Sequence, residues 1–114
     1  MYSTIFAKFA LFFYVFYAQH GRGIMTYNST DPNSTVQEKY EGEWIDGKMQ
    51  GRGVYFYGDG SVYDGMWVAG KMQGKGVFCY PNGNRYEGEF FLDAKEGFGV
   101  LQYKNGELYE GNWQ

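Results

Sequence analysis

Histidine and cysteine are the residues to weigh first for catalysis, and this chain of 114 residues carries one of each, His20 and Cys79. A histidine serves as a general base only within hydrogen-bond reach of the group it deprotonates, and a thiol needs a base or cation beside it to become a nucleophile. The two lie in different units of the chain. His20 stands where Gln50 and Gln73 stand in later units, and Cys79 where Phe56 and Gln102 stand. They read as a connecting residue and a packed thiol. The carboxylates Glu41, Glu43, Glu87 and Glu89 recur on a polar strand face with no acid–base pair set apart among them, and no His/Cys cluster has metal spacing. Gly51-Arg52-Gly53 and Gly74-Lys75-Gly76 are not phosphate loops, because no helix pattern follows them. The chain is therefore read as non-enzymatic, with no catalytic, cofactor-binding or metal-binding residue expected.

Two other sets of residues could recognise a partner. Lys48, Arg52, Lys71 and Lys75 recur in the connections, with Met49 and Met72 beside them. A row of cations can meet anionic phospholipid headgroups, each contributing about 1 kcal/mol near such a surface. Glu96 and Phe98 interrupt that row in the following unit, and the formal charge is −3. The second set is aromatic: Tyr40, Trp44, Tyr63, Trp67, Tyr86 and Phe90. Large rings on one face are typical anchors of protein-binding sites, so these six are the candidate protein-binding face. Ten Lys/Arg against thirteen Asp/Glu leave no bulk basic footprint for nucleic acid.

The elements that position these residues follow from a repeat. Tyr40, Tyr63, Tyr86 and Tyr109 recur every 23 residues. Gly42, Gly65, Gly88 and Gly111 follow two residues later, and Trp44, Trp67, Phe90 and Trp113 two later again. Gly51/Gly53 with Tyr57, Gly74/Gly76 with Tyr80 and Gly97/Gly99 with Tyr103 mark the second half of each unit, and Gly60, Gly83 and Gly106 close it. A fixed period of this length means a stacked array in which each unit buries its face against the next.

Within a unit, Tyr40 to Trp44 alternates rings and glycine with carboxylates, the pattern of a half-buried strand. The segment 47–51 reads as a glycine-bracketed connection and 53–57 as a second strand. Gly58-Asp59-Gly60, Pro81-Asn82-Gly83 and Lys104-Asn105-Gly106 are turn signals. Each unit is thus a hairpin, and hairpins sharing edges give an all-β protein: one extended, twisted antiparallel sheet of stacked β-hairpin repeats. Gly51 and Gly53 share the parity of Tyr55 and Tyr57, which leaves room for a neighbouring ring to lie flat on the strand. Asp93 replaces the glycine of Gly47 and Gly70, so a different loop conformation is expected there.

The boundaries read as a partial unit at 20–39, full units at 40–62, 63–85 and 86–108, and a closing strand at 109–114. The partial unit contains a polar insertion, NSTDPNSTVQEK, expected as a solvated loop. The closing strand Tyr109–Trp113 leaves an edge that can pair end to end with a second copy as a homodimer. Residues 1–19 differ in kind, with no glycine, no acid and only Lys8 charged. A signal-like leader, an anchor and a misjoined start all fit that composition. Sequons at Asn28 and Asn33 matter only in a secretory pathway.

The segments YEGEWIDGKMQGRGVYFYGDG, YDGMWVAGKMQGKGVFCYPNG and YEGEFFLDAKEGFGVLQYKNG resemble the MORN repeat, with pattern Y-x-G-x-W-x-x-G-x-x-x-G-x-G-x-x-x-Y-x-x-G. HGRGIMTY is similar to the back half of a unit and YEGNW to the front half. The resemblance implies a twisted hairpin array without catalytic residues of its own. MORN arrays occur in junctional membrane proteins, plant phosphatidylinositol phosphate kinases, lysine methyltransferases and the cytoskeletal scaffolds of protists and cilia. By that resemblance the chain is expected to be a small cytoplasmic scaffold or adaptor, cytoskeletal or ciliary, with an unidentified protein partner. The alternative is a peripheral adaptor on an anionic membrane.

Overall fold

A computed structural model describes residues 4–7, 20–27, 32–33 and 37–114. Among these residues nine strands form a single open sheet: β1 (Thr4–Ala7), β2 (His20–Tyr27), β3 (Glu38–Ile45), β4 (Lys48–Phe56), β5 (Val62–Val68), β6 (Lys71–Cys79), β7 (Arg85–Phe91), β8 (Ala94–Gln102) and β9 (Leu108–Trp113). The strands lie side by side in chain order. From β2 to β9 every pairing is antiparallel. The backbone of β1 pairs in parallel with β2, Thr4 opposite Ile24. The remainder of the proposed leader lies outside the described residues. So does most of the insertion, in which Pro32 and Asn33 form an exposed turn.

The hairpins are tighter than the sequence suggests. Asp46 and Gly47 (φ 51° and 74°), Ala69 and Gly70 (49° and 84°), and Leu92 and Asp93 (47° and 70°) are each the two central residues of a turn. Two consecutive positive φ values define the turn whose twist matches that of the flanking strands. The segment 47–51 is therefore not a connection, as expected, but a single turn residue followed by strand. Asp93 likewise keeps the left-handed conformation instead of changing the loop. Its carboxylate compensates by accepting the Met72 amide at 2.8 Å, while its own N–H donates to the Met72 carbonyl. Gly70 makes the same backbone bond to Met49, at 2.9 Å. At the other end of the sheet, the side chains of Asp59, Asn82 and Asn105 each accept the amide two residues on.

The core is a row of rings on one face. Tyr40, Tyr63 and Tyr86 are fully buried, each with its hydroxyl donating to the carbonyl three residues later, Glu43, Met66 and Glu89. Each ring lies flat on a glycine of the neighbouring strand. A Cβ on Gly53, Gly76 or Gly99 would collide with the hydroxyl and ring of Tyr40, Tyr63 or Tyr86. Edge-on contacts of 4.9–5.5 Å then chain the rings: Tyr40 meets Trp44 within its own unit, and Tyr40, Tyr63 and Tyr86 meet Trp67, Phe90 and Trp113 of the next. The indole of Trp67 donates to the Gly53 carbonyl at 3.0 Å. That of Trp44 is buried with no acceptor among the described residues.

Candidate functional site: the ring face and its margins

All six aromatics expected to form a binding face do lie together on one face. Their place there is internal. Tyr40, Trp44, Tyr63, Trp67, Tyr86 and Phe90 are only 0–5% exposed and, with Met25 and Met72, form the core, so a partner cannot use them as direct anchors. What the face offers to a partner is a second row of half-buried rings packed over them, including Tyr55, Tyr57, Phe78 and Tyr80. These run as a ladder, with centroids 4.5 Å apart from Tyr55 to Tyr57, 5.8 Å from Tyr57 to Phe78 and 4.8 Å from Phe78 to Tyr80. A groove of about 440 Å³ lies on this face, lined by Tyr57, Phe78, Tyr80, Phe90, Asp93 and Lys95 among others. Tyr57 and Tyr80 were visible in the sequence as repeat markers. Their role was hidden because the second strand is apolar on both faces, so alternation does not say which row is covered.

The electrostatics of this face are acidic around Tyr57. Burial pushes its hydroxyl up to about 12, and the carboxylates of Asp93, Glu38 and Asp59 add to the shift. Tyr55 is raised further, first by burial and then by its hydrogen bond to Glu38 Oε2 at 2.9 Å. Both stay neutral at physiological pH and present rings and hydroxyl donors. Lys95 is a residue that sequence reasoning passed over. It occupies the position of Met49 and Met72, and its ammonium sits over Tyr80, Tyr86 and Trp113 at 5.2, 5.5 and 5.3 Å. Aligning DAKEG with GKMQG is the signal that would have found it. The contact shows that this ring surface accepts a cation.

The four candidate lipid-facing cations do not form one row of loops, because the turns are short and all four lie on strands. Lys48 and Lys71 begin β4 and β6 directly after the turns, and Lys71 is 3.4 Å from Asp93. Arg52 and Lys75 lie mid-strand on the face opposite the rings. Arg52 pairs with Asp64 at 3.1 Å, and Lys75 stands across from Glu89. Around the same turns the exposed apolar residues are Ile45, Val68, Phe91 and Leu92. Tyr109, in the candidate edge strand, is 52% exposed where its three counterparts are fully buried, and Leu108 is 59% exposed.

Comparison with protein families gives four matches to the MORN repeat model, at residues 14–31, 40–62, 63–85 and 86–107. The chain belongs to the MORN repeat family. The three later matches coincide with the hairpin units of the structure, and the first begins at residue 14, within the stretch read as a leader. A search of curated proteins returned no match. MORN repeats are non-catalytic modules of protein and membrane interaction, and the ring core described above is the MORN pattern written in three dimensions.

Proposed function

We infer that this MORN array is a non-enzymatic protein-interaction module, a scaffold or adaptor whose partner lies along the ladder of Tyr55, Tyr57, Phe78 and Tyr80. The observation that carries the reading is the half-buried ring row with its groove of about 440 Å³. Rings that are rigid, already ordered by the core beneath them and partly exposed offer contact area at small entropic cost. An extended segment bearing apolar and cationic side chains suits the groove, since Asp93 lines it and Lys95 already stacks its ammonium on Tyr80. A cytoplasmic location, cytoskeletal or ciliary, accords with this role.

The test is affinity capture from the cells of origin, comparing the full chain with a Phe78→Ser/Tyr80→Ser variant whose fold is checked by circular dichroism. A partner retained by the first and lost by the folded second supports the ring ladder. Equal retention by both removes it. A second reading is peripheral attachment to an anionic membrane through the turn end, where Lys48 and Lys71 flank exposed Ile45, Val68, Phe91 and Leu92. Co-sedimentation with phosphoinositide-containing liposomes decides that reading, and binding unaffected by phosphoinositide content defeats it.

A further inference from the structure

On the face opposite the rings, Arg22, Arg52 and Lys75 hold the same place in successive units. Each stands directly across from one residue of the next strand: Arg22 from Glu43, Arg52 from Met66 and Lys75 from Glu89. Those three residues also sit where the hairpin register shifts, between Gly42 and Trp44, Gly65 and Trp67, and Gly88 and Phe90. Opposite each shift is a bulge built on a glycine with positive φ: Gly51 at 78°, Gly74 at 90° and Gly97 at 68°. Such a bulge leaves a strand amide without its ladder partner.

The first unit shows what satisfies it. Glu43 Oε2 accepts the Arg52 amide at 2.6 Å, and a Cβ on Gly51 would lie 2.8 Å from that oxygen. The Glu89 carboxylate covers Gly97 at the same 2.8 Å. In the middle unit the residue is Met66. A thioether is a weak acceptor and carries no charge. Gly74 has only Met66 carbons within 4 Å of its Cβ position. Arg52, lacking a glutamate opposite, turns to Asp64. The middle bulge thus keeps its cations and lacks the carboxylate that both neighbours supply. A groove of about 520 Å³ runs beside it, lined by Arg52, Lys75, Val77, Glu87, Glu89 and Phe98 among others.

We propose that the middle bulge receives a single carboxylate from another protein, an Asp or Glu side chain seated at the Lys75 amide between the Arg52 and Lys75 side chains. An adjacent apolar residue of that partner packs on Val77 and on Phe98, which is 57% exposed. The chain's own Glu43 is the template for the contact. The Arg52–Asp64 pair is exposed on both sides, 64% and 48%, so Arg52 is released from it at small cost. Asp64, Glu87 and Glu89 line the same groove and outnumber its two cations, so a ligand with more than one negative charge, such as a phosphate or a polyanion, is disfavoured. This site lies on the other face from the ring ladder and stands independently of it.

The experiment is an amide NMR titration of the isotopically labelled full chain with N-acetyl-Leu-Glu-amide. N-acetyl-Leu-Gln-amide and inorganic phosphate are the comparison ligands. Saturable shifts of the Gly74 and Lys75 amides are expected with the Glu peptide, and binding about tenfold weaker with the Gln peptide. Gly51 and Arg52 should stay still. Met66→Glu should abolish the response by supplying the carboxylate internally, and Glu43→Met should create a second responsive site at Gly51 and Arg52. The proposal is overturned if the Gln peptide or phosphate shifts Gly74 and Lys75 equally. It is overturned too if Glu43→Met gains no site, a result that does not depend on how Met66→Glu folds.

Discussion

Substituting alanine for glycine at two positions of this sheet should give opposite results, although both glycines occupy central strand positions of the repeat. In Gly76→Ala the new methyl lands on the buried ring and hydroxyl of Tyr63. The ring must lift, and uncovering about half of a tyrosine, on the order of 100 Å², costs about 2.5 kcal/mol at about 25 cal/mol per Å². Losing the hydrogen bond from its hydroxyl to Met66 adds about 1 kcal/mol. The reduced freedom of the unfolded chain offsets about 0.4–1 kcal/mol. The net is a destabilisation of about 2–4 kcal/mol. In Gly111→Ala the nearest atoms of Tyr109 are 3.4 Å away, ordinary van der Waals contact. That substitution should be neutral or stabilising by up to about 1 kcal/mol.

The assay is urea unfolding of the full chain, followed by tryptophan fluorescence and far-ultraviolet circular dichroism. Because each unit is stabilised by its neighbours, a defect at Gly76 should also broaden the transition and separate the two probes. Tyr63→Phe added to Gly76→Ala removes one of the clashing atoms and a hydrogen bond that the alanine already breaks, while the ring carbons still collide, so the double variant should be less destabilised than the sum of the singles. Equal stabilities of Gly76→Ala and Gly111→Ala would refute the reasoning that glycine is present to seat the ring. Additivity in the double variant would mean that Gly76→Ala leaves the hydrogen bond of the Tyr63 hydroxyl intact, against the lifted ring.

Three further outcomes are expected. Tyr40, Tyr63 and Tyr86 are buried hydroxyl donors whose pKa values burial raises, Tyr63 to about 12. An unfolded tyrosine titrates near 10, so full stability holds below about pH 10 and falls as the pH climbs toward the folded value. At pH 11 Tyr63 alone costs about 1.4 kcal/mol, and Tyr40 and Tyr86 act in the same direction; urea midpoints unchanged from pH 8 to 11 would contradict this. Leu92 is 56% exposed with φ 47°, a conformation costing an L-residue about 1–2 kcal/mol, so Leu92→Gly should raise stability by about 0.5–1 kcal/mol once glycine's unfolded-state entropy is deducted. A lower melting temperature would argue that the leucine side chain is held by packing. If the outermost strand β9 joins copies end to end, Leu108→Pro or Glu110→Pro should abolish dimers in light scattering, and an unchanged mass would dismiss that pairing.

Sheet architecture was legible because period-two alternation and glycine punctuation report directly on burial and turn. Tyr40-x-Gly42-x-Trp44 placed its own side chains on one face, and Gly53 foretold that a ring would lie on it, whereas Gly51, read the same way, is a positive-φ bulge covered by the Glu43 carboxylate. Legibility ended where a residue's role depends on its neighbour in the next unit. A buried ring and a half-buried ring are both simply aromatic in sequence, so the six most regular aromatics read as a binding face when regularity itself was the mark of the core. The placement of the cations in loops failed for a related reason: whether Lys48–Gly51 is a connection or a strand hinges on the two positive φ values at Asp46 and Gly47, which glycine spacing alone does not locate.

The departures from the repeat carry more functional information than the repeat. Tyrosine, glycine and tryptophan recur because a ring core demands them in every unit, and such residues cannot distinguish one partner from another. Where the units differ, the physical demand of the core is already met and the residue is free to serve something else. Lys95 in place of methionine puts a cation over three rings, Asp93 in place of glycine places a carboxylate at the groove wall, and Met66 in place of glutamate leaves a bulge without its anion. All three alter charge on surfaces that flank the middle and last full units, and none changes the backbone path. An array built this way separates the problem of standing up from the problem of binding, with the shared pattern solving the first and the exceptions defining the second.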